Sequence, residues 1–402
     1  MQAAMTQQTL TNPAPAEARA AFHDEAPFTL DAQGQQLTFV PGGPDRLTAL
    51  LNLIGQAQSS LKLCFYIFDD DGAGRQVRDA LVDAAQRGVD VRLIVDGFGA
   101  SVDQNFFAQF TAAGGTFLVF SANWGRRYLI RNHQKMAVAD DQAAMFGGSN
   151  VADDYFAPPE ANGWHDMGIV IRGSVVCDLA LWFARLESWV SSRREQLRAI
   201  RRQVRGWDRP SGPVALLIGG PTARPSSWTR AIGHDLRKAR SLDMVMAYFS
   251  PSYTLMRRIA RIARTGEARL IMAGKSDNGA TIGATRSLYT YLLKRGAKVW
   301  EFEATKLHMK LIVVDDAVYM GSANFDMRSL FVNLELMVRI EDHTLAQRMR
   351  AFIASHVPGS HAITLAEHRR KATVFNRMRW GLSWFLVTVV DYTVSRKLNL
   401  GL

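Results

Sequence analysis

The chain has 402 residues, 48% hydrophobic and 21% charged, which suits two ordinary domains or one duplicated domain and excludes disorder except at the ends. A formal charge of +11, mostly an arginine excess, favours anionic partners (phospholipid head groups, nucleic acid or phosphorylated small molecules) without choosing among them. The two cysteines, Cys64 and Cys177, each sit in an apolar run and are expected to be buried, unpaired thiols of a reducing compartment.

Residues 1–25 are rich in Gln, Thr, Pro and Ala and lack the basic start and apolar core of a secretory signal, so they read as a flexible tail. From Leu37 the pattern is strand, Gly-Gly-Pro turn at Pro44, amphipathic helix, then a buried strand. GRQVRDALVDAAQRGVDVRLIVDG follows, a helical apolar period giving way to a short branched apolar run, the signature of a βαβ unit. Arg193 to Arg209 then carries seven arginines and two acids and reads as a basic helix running into a linker near residue 210.

From Val214 the same order returns: strand, Gly-Gly-Pro at Pro221, helix, strand, then LMRRIARIARTGEARLIMAGKSD as a second βαβ unit. A His-X-Lys follows in each copy, His133 with Lys135 and His308 with Lys310. Matches in the same order imply an internal duplication, divided as residues 26–210 and 211–356, with a basic and apolar tail over 357–402. No apolar run is long enough to span a bilayer, but WGLSWFLVTVV, flanked by Arg377, Arg379, Arg396 and Lys397, suits a segment lying at a membrane surface. A terminal helix packed on the protein's own core is the alternative.

HQKMAVADDQAAMFGGSN, from His133, and HMKLIVVDDAVYMGSAN, from His308, each read as a β-hairpin turning at an Asp-Asp. Residues i and i+2 of a strand share a face, so each histidine and its lysine can meet one anion. Asp140 lies five residues beyond Lys135, roughly 16 Å along a strand, so Asp140 and Asp315 are assigned to the turns. The returning strands bring Gly147, Gly148, Ser149 and Asn150 beside His133, and Gly321, Ser322 and Asn324 beside His308. Glycines there are expected to let a phosphate approach the backbone, while Asn and Lys donate to its oxygens.

These residues resemble the HKD motif of the phospholipase D superfamily over about residues 30 to 350, with one residue fewer between Asp315 and Gly321 than between Asp140 and Gly147. Within the superfamily, YIFDDDGAGRQVRDAL, GGSNVADDYF, WHDMGIVIRG and GSANFDMRSLFVNLE are most similar to bacterial cardiolipin synthases of the short type without N-terminal membrane helices. The resemblance implies an α/β fold of two duplicated α-β-α sandwich domains, whose two motifs share one active site at a pseudo-twofold interface. It implies that His133 attacks the lipid phosphorus, that His308 protonates the departing alcohol, and that Lys135, Lys310, Asn150 and Asn324 hold the phosphorane charge. Glu335 is the candidate to orient His308 and Asp166 the candidate to orient His133, while Arg126, Arg127, Arg131 and Tyr155 are candidates to position a head group.

No cofactor or metal is implied, because the paired lysines supply fixed charge and the other histidines show no ligand spacing. The expected substrate is phosphatidylglycerol, met by a cytoplasmic enzyme peripheral on the inner face of a bacterial membrane; nucleic acid is the less favoured partner, and nothing in the sequence sets an oligomeric state. A phospholipid hydrolase or a nuclease of the same superfamily is the alternative.

Overall fold

The computed structural model describes residues 22–120, 130–192, 196–207 and 212–390. The first half opens with antiparallel strands β1 (Phe28–Ala32) and β2 (Gln35–Val40), then helix α1 (Gly43–Gln56). Strand β3 (Ser60–Phe65), helix α2 (Gly72–Gln86) and strand β4 (Asp90–Asp96) make a parallel crossover, and α3 (Ala108–Ala112) leads to a further parallel strand, β5 (Thr116–Phe120). The hairpin of β6 (Met136–Ala139) and β7 (Ala143–Gly147) is followed by α4 (Asp153–Phe156), β8 (Trp164–His165) and β9 (Gly168–Arg172). Helices α5 (Val175–Ser191) and α6 (Gln196–Arg205) close the half.

The second half repeats the plan. Its first part runs β10 (Val214–Gly219), α7 (Ser227–Lys238), β11 (Ser241–Met246), β12 (Phe249–Ser250), α8 (Tyr253–Thr265), β13 (Glu267–Ala273), α9 (Gly279–Leu293) and β14 (Lys298–Phe302). After β15 (Lys306–Leu307) comes the second hairpin, β16 (Lys310–Val314) and β17 (Ala317–Gly321), then β18 (Phe325–Asp326), α10 (Met327–Phe331) and β19 (Glu335–Glu341). Helix α11 (His343–Ala354), β20 (Ser360–Ile363), α12 (Leu365–Lys371) and α13 (Val374–Trp384) are the last elements among the described residues, with a π-helical turn over Phe385–Val390.

Each half builds an eight-stranded mixed sheet, in the orders β1-β2-β9-β7-β6-β3-β4-β5 and β10-β19-β17-β16-β11-β13-β14-β20. The orders superimpose strand for strand from β2 and β10 onward, leaving β1 extra on one edge and β20 extra on the opposite edge. Helices α1 and α2 cover one face of the first sheet, and α7 and α8 one face of the second. The other faces enclose a common core with α5 and α11, in which Trp182, Phe183 and Leu186 of α5 and Leu345, Met349 and Phe352 of α11 belong to one buried cluster. Buried on both faces, the hairpin strands are, Lys310 apart, continuous runs of apolar and aromatic residues and glycine rather than alternating.

Several expectations change. Phe22 packs edge-on against His165 and Phe302, and Asp24 lies 2.7 Å from His165 Nδ1, so residues 22–25 are docked rather than part of a loose tail. Pro44 stands at the start of α1, but Pro221 opens a longer loop and α7 begins only at Ser227, with Ser226 as its cap. Strand β20 extends the second sheet beyond residue 356. Cys64 is buried as expected, but Cys177 is exposed on α5, because its position falls outside the apolar stripe of Val175, Val176, Leu179 and Trp182.

Candidate active site

The Asp-Asp turns are structural. Asp140 accepts hydrogen bonds from the backbone N–H groups of Gln58, Ser59 and Ser60 at 2.9, 2.7 and 2.9 Å. Against the opposing effect of burial, these bonds hold its carboxyl down at about 2. Asp315 does the same for Arg240 and Ser241 at 3.0 and 2.9 Å. Each aspartate thus clamps its hairpin tip to the start of the neighbouring strand, β3 or β11. Three residues separate the paired Ala139 and Ala143, and two separate Val314 and Ala317, so the missing residue of the second copy lies at the tip.

At the other end of the hairpins, His133 and His308 line one pocket of about 360 Å³ together with Asn150, Asn324, Arg131 and Tyr155. The two halves are stitched together there. The His133 N–H donates to the Leu334 carbonyl at 2.9 Å, just before Glu335, and β8 pairs with β15 so that the His308 N–H donates to the His165 carbonyl at 2.8 Å, just before Asp166. Each histidine is therefore served by the carboxylate of the opposite half. His133 Nδ1 lies 3.1 Å from the Glu335 carboxylate, and His308 Nδ1 lies 2.8 Å from Asp166. This corrects the assignment of Glu335 to His308 and of Asp166 to His133. Proximity in the motif misled, because the strand pairing that carries each carboxylate crosses the interface.

The two pairs differ electrostatically. Burial lowers His133 well below the usual imidazole range, helped by Lys135, Lys310, Arg131 and Arg328. Burial also raises Glu335 to about 7, although Lys135 and Ser322 oppose it. Asp166 behaves oppositely: burial would raise it, but Lys310 and then His308 outweigh that and hold it well below the carboxylate range. Burial and then Lys310 bring His308 down to about 3, against the opposing pull of Asp166.

Lys135 and Lys310 are buried behind the histidines rather than on the pocket wall. Lys135 Nζ donates to the His133 carbonyl at 2.7 Å, and Lys310 Nζ donates to the His308 carbonyl. Burial lowers Lys135 to about 7 and Lys310 to about 8. Asn150 accepts from the Ile67 N–H at 3.0 Å, which leaves its Nδ2 buried without a partner; Asn324 Oδ1 is likewise unpartnered. An unsatisfied amide N–H such as that of Asn150 is what an anion would satisfy, whereas the Asn324 oxygen calls for a donor.

The glycines have a different task from the one expected. A Cβ on Gly147 would stand 2.3 Å from the Met167 carbonyl oxygen, and one on Gly321 2.1 Å from that of Leu336. A Cβ on Gly148 would meet the Asp166 carboxylate at 2.5 Å. The glycines make room for the carboxylate-bearing strands, and none of the three lines the pocket. Ser322, where the first copy has Gly148, instead donates to Glu335 at 2.5 Å, while Ser149 Oγ is buried without a partner.

Arg131 lines the pocket and stacks on Phe98 at 4.3 Å, and Tyr155 stands edge-on to His308 at 5.1 Å; Arg126 and Arg127 lie outside the described residues. Sequence reasoning missed Tyr66, whose ring is 5.0 Å from His133, and Arg328 and Asn333, which also line the pocket. It missed Arg46 as well, a fully buried guanidinium that donates to the carbonyls of Asp166, Tyr155 and Trp164 at 2.8 Å and so ties down the segment carrying Asp166. Its signal was its place four residues before Leu50, on the buried face of α1. Among the described residues no group of three or more His, Cys, Asp or Glu side chains is arranged to hold a metal ion.

The family described as "Cardiolipin synthase, PLD-like domain" matches twice, over residues 50–186 and 233–357, once for each sheet and hairpin. The chain belongs to that family. Among relatives of this cardiolipin synthase family member, the Major cardiolipin synthase ClsA of Bacillus subtilis is 29% identical over 87% of this chain and 74% of its own length. Cardiolipin synthase B of Salmonella typhimurium is 30% identical over 79% of each. In fold, the family member is similar to the phosphatidylserine synthase of Haemophilus influenzae, with TM-score 0.70 and 15% identity over 92% of this chain and 96% of that one. A polyphosphate kinase from Porphyromonas gingivalis is similar with TM-score 0.58 and 14% identity over 87% of this chain and 53% of that one. The chain is an enzyme of the phospholipase D superfamily.

Proposed function

We propose that the enzyme joins two phosphatidylglycerol molecules into cardiolipin through a phosphohistidine on His133, releasing glycerol. The single observation that carries the division of labour is the contrast between the two His–carboxylate pairs. His133 is held neutral beside a carboxyl whose proton is held to about 7, which suits a nucleophile. His308 stands beside Asp166, a carboxylate kept ionised and able to stabilise an imidazolium, which suits an acid.

In the first half-reaction the unpaired nitrogen of His133 attacks phosphorus, the phosphorus–oxygen bond to glycerol breaks, and His308 gives that oxygen its proton. In the second, the terminal hydroxyl of another phosphatidylglycerol attacks phosphorus, the phosphorus–nitrogen bond breaks, and the hydroxyl proton goes to His308. Burial and then Lys310 depress His308; the negative charge of a phosphate would offset the lysine's part of that and favour the protonated imidazole. Asn150, Asn324 and Arg131 are placed to hold the phosphorane oxygens, with Lys135 and Lys310 supplying charge from behind.

The reaction is placed at an anionic membrane surface, a reading that α13 supports. Trp380 packs inward, stacked on His368, while Val374, Phe375, Met378, Leu382, Phe385 and Leu386 form an exposed stripe, from 77% exposed at Val374 to 45% at Leu386. Val387, next on that helix, lines the catalytic pocket, and Arg369, Arg370, Lys371, Arg377 and Arg379 are exposed beside the stripe. No helix among the described residues is long and apolar enough to cross a membrane.

Mass spectrometry of the lipid extract tests the function. Purified enzyme on phosphatidylglycerol vesicles should yield mainly cardiolipin and glycerol. Phosphatidic acid as the dominant product at high lipid density would replace the transferase by a hydrolase, and cleavage of DNA with no phospholipid turnover would replace it by a nuclease.

A further inference from the structure

Helix α6 has two unlike faces. Ile200 and Val204, together with Trp207 just past its end, are buried in the common core, at one-turn spacing. Arg198, Arg201, Arg202 and Arg205 follow the complementary i, i+3, i+4, i+7 stripe and line a groove of about 450 Å³. The opposite wall is the loop between β10 and α7, which adds Thr222 and Arg224. That loop is pressed onto the helix: a Cβ on Gly220 would stand 2.8 Å from a Val204 methyl group. Thr222 accordingly donates to the Arg224 carbonyl and fixes the turn that presents the fifth guanidinium.

Five guanidiniums thus converge on one groove, and none forms an ion pair with a described acidic side chain. Some exposed arginines elsewhere are compensated locally, as Arg75 is by Asp70 and Arg92 by Asp90, while others, such as Arg257 and Arg264 on α8, have no described acidic partner either, so what marks the groove is the convergence of its guanidiniums. The groove is separate from the catalytic pocket, with no lining residue in common. Guanidinium forks match phosphate oxygens two at a time, and converging like charges favour a ligand carrying more than one negative charge.

We propose that this groove is a second anion site, built for two neighbouring phosphate groups. The shared chemistry has two sources: a soluble diphosphate, or adjacent phosphates of anionic lipids at a membrane surface. The proposal does not depend on which substrate the catalytic histidines act upon.

The test compares two variants of the full chain, each losing two charges: Arg201→Gln/Arg205→Gln in the groove, and Arg257→Gln/Arg264→Gln, exposed on α8 far along the chain. Calorimetric titration with inorganic pyrophosphate and flotation with vesicles of phosphatidylcholine containing phosphatidylglycerol are run on both, with circular dichroism to verify folding. The groove variant should lose at least tenfold in affinity in one arm or both, while the α8 variant changes less than threefold. Loss with pyrophosphate assigns the site to a soluble diphosphate, and loss confined to vesicles assigns it to head groups. Equal effects of the two variants, or no effect in either arm, would overturn the proposal by reducing the groove to diffuse surface charge. Should the groove variant misfold, Arg202→Gln, a single exposed change, takes its place with a threefold loss as the threshold.

Discussion

Glu335 and Asp166 are both buried carboxyls, each within 3.1 Å of a histidine, and burial raises both while neighbouring cations and hydrogen bonds lower both; burial wins at Glu335 and the neighbours win at Asp166. The crossed pairing makes a prediction that separates nucleophile from acid. In a single turnover, a phosphatidyl ester of p-nitrophenol, a leaving group that departs without a proton, should still react with Asp166→Asn and His308→Ala within about tenfold of wild type. Glu335→Gln and His133→Ala should lose roughly 100-fold or more on that same substrate, read as nitrophenolate release. Equal loss for all four would mean that the two pairs do not divide the work. The lysines set an alkaline limit. Both have folded values below the usual lysine range, at about 7 and about 8, and both lose their charge as pH rises through them. The rate constant kcat/KM, which reports the free enzyme, should therefore fall above about pH 8; a profile flat to pH 10 would argue against their charge being needed.

At the scale of elements, the hairpins were legible because an Asp-Asp turn between apolar strands has a definite pattern, and the turn role of Asp140 followed from strand rise alone. The duplicated βαβ units were legible for the same reason, since helical and strand periods switch in a fixed order. What could not be read was contact between elements distant in sequence. The partner of each motif histidine depends on β8 lying against β15 and on Asn132 bridging to Leu334, which no local pattern encodes. Docking of Phe22 and Asp24 onto His165, and the addition of β20 to the second sheet, were hidden for that reason too. Asp140→Ala should destabilise the fold by about 2 kcal/mol through loss of charge-assisted bonds to the backbone, seen as a lower thermal midpoint. Its effect should depend on pH with a definite sign. The folded value of about 2 lies below the unfolded value of roughly 3.9, so the stabilisation is complete above about pH 4 and is lost as pH falls towards 2. An Asp140→Ala penalty that persists undiminished at pH 2 would contradict the clamp.

For the whole molecule, the duplication explains why one chain carries two motifs and a single pocket: each half brings a histidine and the carboxylate that its counterpart needs. The π-helical turn that follows α13 lines the pocket through Val387, so on the proposed reading membrane contact and substrate entry would share a side. Replacing Phe375, Met378 and Leu382 by serine should weaken partitioning onto anionic vesicles by about tenfold while leaving the melting transition in place, because those side chains are exposed. Unchanged partitioning would leave α13 as a packing helix alone. Thorough chelation with EDTA should leave vesicle activity intact if, as proposed, the charge on phosphorus is met by Lys135, Lys310 and Arg131; a loss restored by one divalent ion would contradict that. The central claim is the covalent step, and the most direct measurement is acid-quench trapping of label from phosphatidylglycerol carrying ³²P, followed by peptide mapping. Label should appear on the His133 peptide in the wild type and in His308→Ala, and vanish in His133→Ala. Label that persists in His133→Ala and disappears in His308→Ala would contradict the assignment and exchange the two roles.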